Sequence, residues 1–374
     1  MDNNRRLASL DALRGFDMLF IMGFSNLVVA LCTLLPCGAD CWLAQQMTHV
    51  EWNGLHHHDT IFPLFLFIAG ISFPFSLAKS RSQGKSKAAI YRKIVRRGLI
   101  LVLLGLVTNG LFQFEFDSIR IPSVLARIGL AWMFAALLSV DLKVWVRAVI
   151  AGAILLGYWG LSMIPAPDAV AAAGGAFVDP LSKEGCLVGY VDRCLIPGHL
   201  YAREGGIFDP EGILSTLPAI VTALLGIFTG EFVRRQDLSG NRKTLIMFGA
   251  AAVLLAAGLL WSNVLPVNKK LWSSTFVLVV GAYSLAMFAL FYWIIDVRGW
   301  DGWIFPFKVI GMNSITIYIL PRFISLKYAV DFFLGGVLSN FEGAAYNAIY
   351  YAAYILAGWL ILYFFYRKKV FLKV

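Results

Sequence analysis

Charge is scarce in this chain. Asp, Glu, Lys and Arg make up 14% of its 374 residues, where a soluble domain carries about 25%. Hydrophobic residues fill the gap, at 59% of the total with a mean hydropathy of +0.73. That excludes a water-soluble globular enzyme, a disordered protein and a coiled coil. A polytopic membrane protein remains, because only bilayer solvent tolerates so much apolar surface. A cleavable leader is also missing: the first apolar run is too long for a signal core and no A-x-A-like site follows it. There is no short-period repeat and no low-complexity tract, although 169–175 is rich in Ala and Gly. No two of the five cysteines have the C-x-x-C spacing that, with a matching second pair, marks zinc, so no metal is expected.

What is present is a series of apolar runs. A membrane helix needs roughly 20 mostly apolar residues. Ten runs qualify as candidates: 13–35, 61–78, 98–114, 121–140, 146–164, 213–232, 245–264, 272–295, 305–320 and 346–366. The expectation is an all-α polytopic membrane protein, a single domain over 1–374 with about ten transmembrane helices in one bundle. A shorter run, 328–338, reads as re-entrant or interfacial.

The net charge of +10 would suggest nucleic acid in a soluble protein. Here the basic residues lie between apolar runs, so topology explains them and no nucleic-acid partner is expected. On alternate sides of the runs, 23 of the 32 Lys and Arg fall on one side. They include Arg5, Arg6, the run 79–97 and the C-terminal Arg367, Lys368, Lys369 and Lys373. This places both termini in the cytoplasm, and a bacterial inner membrane is the expected location.

Three outer segments follow: 36–60, 165–211 and 266–271. Long extramembrane loops are disproportionately functional. Cys37 and Cys41 fall in the first, Cys186 and Cys194 in the second. Both pairs are expected as disulfides in an oxidising compartment, with free thiols the plainer alternative.

Ionisable groups near the membrane are costly, which makes them functional candidates. The densest set is His49, Glu51, Trp52, Asn53, His56, His57, His58 and Asp59, with four of the five histidines. A His with a carboxylate partner takes protons or accepts acyl groups. Interfacial anchoring explains the same residues equally well. Arg120 and Arg127 share one helix face, two turns apart. Arg127 must then meet an anionic ligand, backbone carbonyls or an acid such as Asp17 or Asp59. Asn313 and Ser314 are polar groups on a short helix after Pro306, suited to interhelical hydrogen bonds or to a ligand.

At these residues the chain resembles a known family. The segment "HVEWNGLHHHDTIFPLFLFIAG" is similar to the catalytic segment of the heparan-alpha-glucosaminide N-acetyltransferases. The likeness continues, in order, through "LDALRG", "RIPSVLARIG", "GYVDRCLIPGHLY", "FDPEGILSTLPAIVTALLG", "NKKLWSSTFVL" and "GMNSI". The resemblance implies transfer of an acetyl group from cytoplasmic acetyl-CoA to the amine of a glucosamine on the far side of the membrane. It maps the catalytic residues onto His49 and Asp59. Candidate binding residues are Asn26, Trp52, Asn53, Arg120, Arg127, Asp209, Glu211, Asn313 and Ser314. Expected partners are the lipid bilayer, acetyl-CoA and an amino-sugar or glycan acceptor, with a homodimer as one expected assembly. The family's animal members carry a further lumenal domain and helix, absent from this sequence. His56, His57, His58 and "ILPRF" depart from the family pattern and put the acceptor's identity in question. The run 79–97 offers charges to the CoA phosphates, although positive-inside signalling alone accounts for it. An O-acyltransferase of an envelope glycan and a transporter are the alternative readings.

Overall fold

The computed structural model describes residues 7–372. Arg5, Arg6 and Lys373 lie outside the described residues. Thirteen helices order the chain. They are α1 (Ala8–Thr33), α2 (His57–Ser82), α3 (Lys87–Thr108), α4 (Val124–Asp141), α5 (Val144–Ser162), α6 (Leu187–Leu195), α7 (Thr216–Val233), α8 (Gly240–Trp261), α9 (Ser274–Val297), α10 (Phe305–Met312), α11 (Ser314–Phe323), α12 (Leu326–Leu338) and α13 (Gly343–Arg367). The remaining helical pieces are a few residues long, and no strand occurs among the described residues. The protein is an all-α integral membrane protein in contact with the bilayer.

Eight of the helices are long and apolar enough to span: all but α3, α6, α10, α11 and α12. Two of the ten expected runs differ for stated reasons. Run 98–114 is only the apolar half of α3, whose first half carries Lys87, Arg92, Lys93, Arg96 and Arg97. Run 305–320 is interrupted at Asn313, whose φ of −127° and ψ of 32° separate α10 from α11. Serine side chains start several helices: Ser86, Ser123, Ser239, Ser273 and Ser325 each accept a backbone N–H three residues on.

α2, α4, α7 and α9 form the buried centre, while α5, α8 and α13 face outward. The α2–α7 contact is backbone to backbone. A Cβ on Gly226 would sit 2.1 Å from the Phe67 carbonyl oxygen, and one on Gly70 would sit 2.3 Å from that of Ala223. Small residues permit this approach where apolar burial gives helices in lipid no driving force. α1 opens into a wide turn at Gly23, whose φ of 116° suits glycine alone.

Because the helices alternate in direction, the connections 34–56, 109–123, 163–215 and 262–273 gather at one end of the bundle. The described chain ends both lie at the other. There the Asp296 carboxylate accepts the Ala8 N–H, and Phe305 meets Tyr363 and Tyr366.

No disulfide links Cys186 to Cys194 or Cys37 to Cys41 in this structure. Cys186 precedes α6 and Cys194 is near its end. Eight residue steps along the helix separate them, about 12 Å of rise, against the roughly 6 Å between Cα atoms that a disulfide spans. Cys37 and Cys41 remain close, sharing a side-chain hydrogen bond.

Candidate active site

The site begins at the first turn of α2. Asp59 is 2% exposed. Its Oδ2 accepts the backbone N–H of Val50 at 3.3 Å and of His56 at 3.1 Å, which folds segment 49–56 back onto the helix start. A helix N-terminus favours this anion. Oδ1 lies 2.7 Å from His49 Nδ1 and 3.1 Å from Lys269 Nζ.

Lys269 Nζ is also 3.1 Å from His49 Nδ1. One nitrogen cannot donate to Asp59 and accept from Lys269 at once. The carboxylate is the stronger partner, so Nδ1 carries the proton and Nε2 keeps its lone pair. The His49 side chain is 54% exposed. Nε2 has no hydrogen-bond partner among the described residues. Burial lowers the pKa of the Lys269 ammonium, with Asp59 opposing that shift.

The loop carrying Lys269 is held against the first outer segment. Asn268 Nδ2 donates to Asn53 Oδ1 at 3.0 Å, and the Gly54 N–H donates to the Val267 carbonyl at 2.8 Å. The Trp52 indole N–H donates to the Leu181 carbonyl at 2.9 Å, and its ring meets Phe208 edge-on. Trp52 and Asn53 therefore tie the outer loops together beside the His49–Asp59 pair.

The three consecutive histidines point three ways. His56 Nδ1 meets the Thr48 carbonyl, His57 Nε2 meets Tyr283 Oη, and His58 Nδ1 meets Ser25 Oγ. The His58 ring also lies 4.5 Å from that of His49.

A second cluster lies in the long outer loop. Arg120 grips Asp209 with Nε at 2.8 Å and Nη2 at 2.5 Å, and Nη2 also bonds Glu211. These acids hold the Arg120 pKa above its usual value against the pull of burial. Lys270, next to Lys269, donates to Glu204 in the same outer loop, which links this loop to the first cluster. Behind the second cluster the Asp192 carboxylate accepts the N–H of Asp209 at 3.3 Å and of Ile213 at 2.9 Å. Burial raises the pKa of Asp192 to about 6.

Of the partners left open for Arg127, a backbone carbonyl is the one it meets, and neither Asp17 nor Asp59 is bonded to it. Arg120 holds Asp209 and Glu211. Arg127 is fully buried, bonded to Ser215 and to the Gly212 carbonyl, with Trp272 beneath its guanidinium. Asp59 is occupied by His49 and Lys269. Asn26 sits exposed on α1; its neighbour Ser25 is the residue that reaches the histidines. Asn313 and Ser314 are buried at the break between α10 and α11, with no hydrogen bond to the His49 cluster. Lys269, Ser25 and Tyr283 are the neighbours that the sequence reading missed. Only Lys269 left a signal, as a cation in a short gap between spans on the side poor in cations.

Comparison with known proteins agrees with the motifs. No family model matches the chain. The human heparan-alpha-glucosaminide N-acetyltransferase is 28% identical over 417 aligned residues, covering 99% of this chain and 60% of that protein. The mouse protein of the same name is 27% identical over 418 residues, with the same coverage. The chain thus spans about 60% of the length of these curated relatives. With nearly every residue of the chain aligned, the chain is similar along almost its whole length to these heparan-alpha-glucosaminide N-acetyltransferases.

Proposed function

We propose that the protein is a membrane-embedded acetyltransferase that moves an acetyl group from acetyl-CoA to the amine of a glucosamine-type sugar. The observation that carries this reading is the His49–Asp59 pair. A buried carboxylate fixes the Nδ1–H tautomer and leaves Nε2, with its lone pair, as the base on a half-exposed ring. In the direct route Nε2 takes a proton from the amine as its nitrogen attacks the thioester carbonyl. The C–S bond breaks, and the imidazolium returns the proton to the thiolate. In the stepwise route Nε2 attacks the carbonyl itself and the C–S bond breaks, so that CoA leaves as its thiolate; the amine then takes the acetyl group from the ring, and its proton passes to the freed Nε2 and on to the thiolate. Asp59 stabilises the positive ring in both.

The donor would approach from the opposite, basic end, which we assign to the cytoplasm of a bacterial inner membrane with both termini there. A cleft of about 800 Å³ at that end is lined by Arg81, Lys87, Lys143, Arg147 and Arg234, together with Asp141 and Glu231. Its cations suit the phosphates of CoA.

The test is acetyl transfer to a panel of amino sugars by purified protein, read by mass spectrometry. His49→Ala should lower turnover by about 10²–10⁴-fold while keeping donor affinity and fold, since the ring is half exposed. Near-normal turnover by folded His49→Ala would overturn the assignment. A transporter would show no acetyl-CoA turnover at all.

A further inference from the structure

A second cleft, of about 640 Å³, opens at the His49 end and is not used by the proposed chemistry. The residues just past α3, including Asn109 and Phe112, form one wall. Arg120 and Tyr201 form another, and Arg203 and Arg322 close it. No acidic side chain lines it.

Its three guanidinium groups come from three distant parts of the chain. Arg203 and Arg322 have no ion pair or hydrogen-bond partner among the described residues. The nearest acid in sequence to Arg203 is Glu204, which is already held by Lys183 at 3.3 Å and Lys270 at 2.5 Å. Arg120 turns Nε and Nη2 to Asp209 and Glu211, leaving Nη1 without a protein partner among the described residues. Its plane is fixed by Tyr201, whose ring centre lies 4.1 Å from the guanidinium carbon. Three guanidiniums set against Asp209 and Glu211 leave a surplus positive charge at the cleft.

The mouth has the opposite character. Phe112 is 67% exposed and Phe323 is 60% exposed, and Phe114 and Phe116 stand exposed beside Phe112. A cationic floor and an aromatic lip at one end of a membrane bundle match the two halves of a phospholipid. Guanidinium forks bind phosphate oxygens in pairs, and aromatic rings sit at headgroup depth.

We infer that this cleft binds the phosphate headgroup of a lipid, with the first carbons of its chain against Phe112 and Phe323. Resting on the acetyltransferase reading, the same seat would hold an acceptor sugar carried on a lipid phosphate, because Arg203 in its wall precedes Glu204, which accepts from Lys270, the neighbour of the Lys269 that bonds Asp59 beside His49.

The experiment is native mass spectrometry of the full chain in detergent, with phosphatidic acid and diacylglycerol of identical chains. Phosphatidic acid should be retained and diacylglycerol lost. Arg203→Gln/Arg322→Gln, which changes two surface residues, should lower retention about tenfold, the scale of one lost charge-assisted hydrogen bond. Arg242→Gln, an exposed residue at the opposite end outside both clefts, should not. Equal retention of diacylglycerol, or an unchanged double variant, would overturn the site. Displacement of the lipid by inorganic phosphate at equal concentration would overturn a lipid as the source of the phosphate. Acetyl-CoA turnover on the same preparations tests the transferase reading separately, so the two can fail independently.

Discussion

Asp59 is saturated. It receives His49 Nδ1, Lys269 Nζ and the N–H groups of Val50 and His56, and a carboxylate has about four acceptor sites. Asp59→Asn keeps the size but removes the charge, leaving the Lys269 ammonium buried without its counter-ion. Removing one partner of a buried pair costs about 3–5 kcal/mol, and acetyl transfer should fall with it. Lys269→Met is expected to be milder, because His49 and two backbone amides still satisfy Asp59. In the double variant the losses should be less than additive by about 1 kcal/mol or more. Denaturant unfolding of the four proteins measures this, and strictly additive losses would show that the pair contributes nothing as a unit.

At the scale of elements, the contact between α2 and α7 sets where Asp59 stands. Gly226→Val would drive a side chain into the Phe67 carbonyl, forcing the helices apart at a cost of about 1–3 kcal/mol. Gly249→Val on α8 is the control, since a Cβ there meets nothing within 4 Å; it should stay within about 0.5 kcal/mol of the parent. Thermal melts in detergent compare them, and equal melting temperatures would remove the close contact from the account. The loop element before α7 carries a pH dependence. Asp192 has a folded pKa of about 6 against an ordinary 3.8, so the folded state binds the extra proton between those values. Stability from this group is therefore greatest at the acid end and falls as pH rises through that window. Asp192→Asn should flatten the slope of melting temperature against pH over that range. An unchanged slope would mean that Asp192 does not titrate there.

At the scale of the whole molecule, the two ends differ in kind. One gathers the long loops, His49 and the exposed thiols of Cys37 and Cys194; the other gathers the short basic turns. If the loop-rich end is extracytoplasmic, a membrane-impermeant maleimide should label Cys37 and Cys194 in intact cells. A cysteine replacing Lys85, in the turn between α2 and α3, should be labelled only after permeabilisation. Labelling at position 85 in intact cells would invert the orientation and place the proposed acceptor side in the cytoplasm.

The membrane class and most of the spans are determined by the sequence alone, because hydrophobicity along a spanning helix is a local property that the bilayer reads directly. The meeting of His49 and Asp59 was legible for a similar reason: ten residues and one helix start separate them. Lys269 lies 210 residues beyond Asp59, and Arg120 meets Asp209 across 89. Such pairs depend on which helices approach closely, and that is set by glycine contacts such as Gly70 with Gly226 rather than by any periodicity. The same reason explains the errors. Two cysteines in one loop looked bridgeable until the loop proved to contain a helix that holds them apart. Arg127 had an acid, a carbonyl and a ligand all open to it in the sequence, and packing brought it Ser215, the Gly212 carbonyl and Trp272. Which polar groups share one end of a bundle follows from local sequence; which of them touch is decided by the packing of helices far apart in the chain.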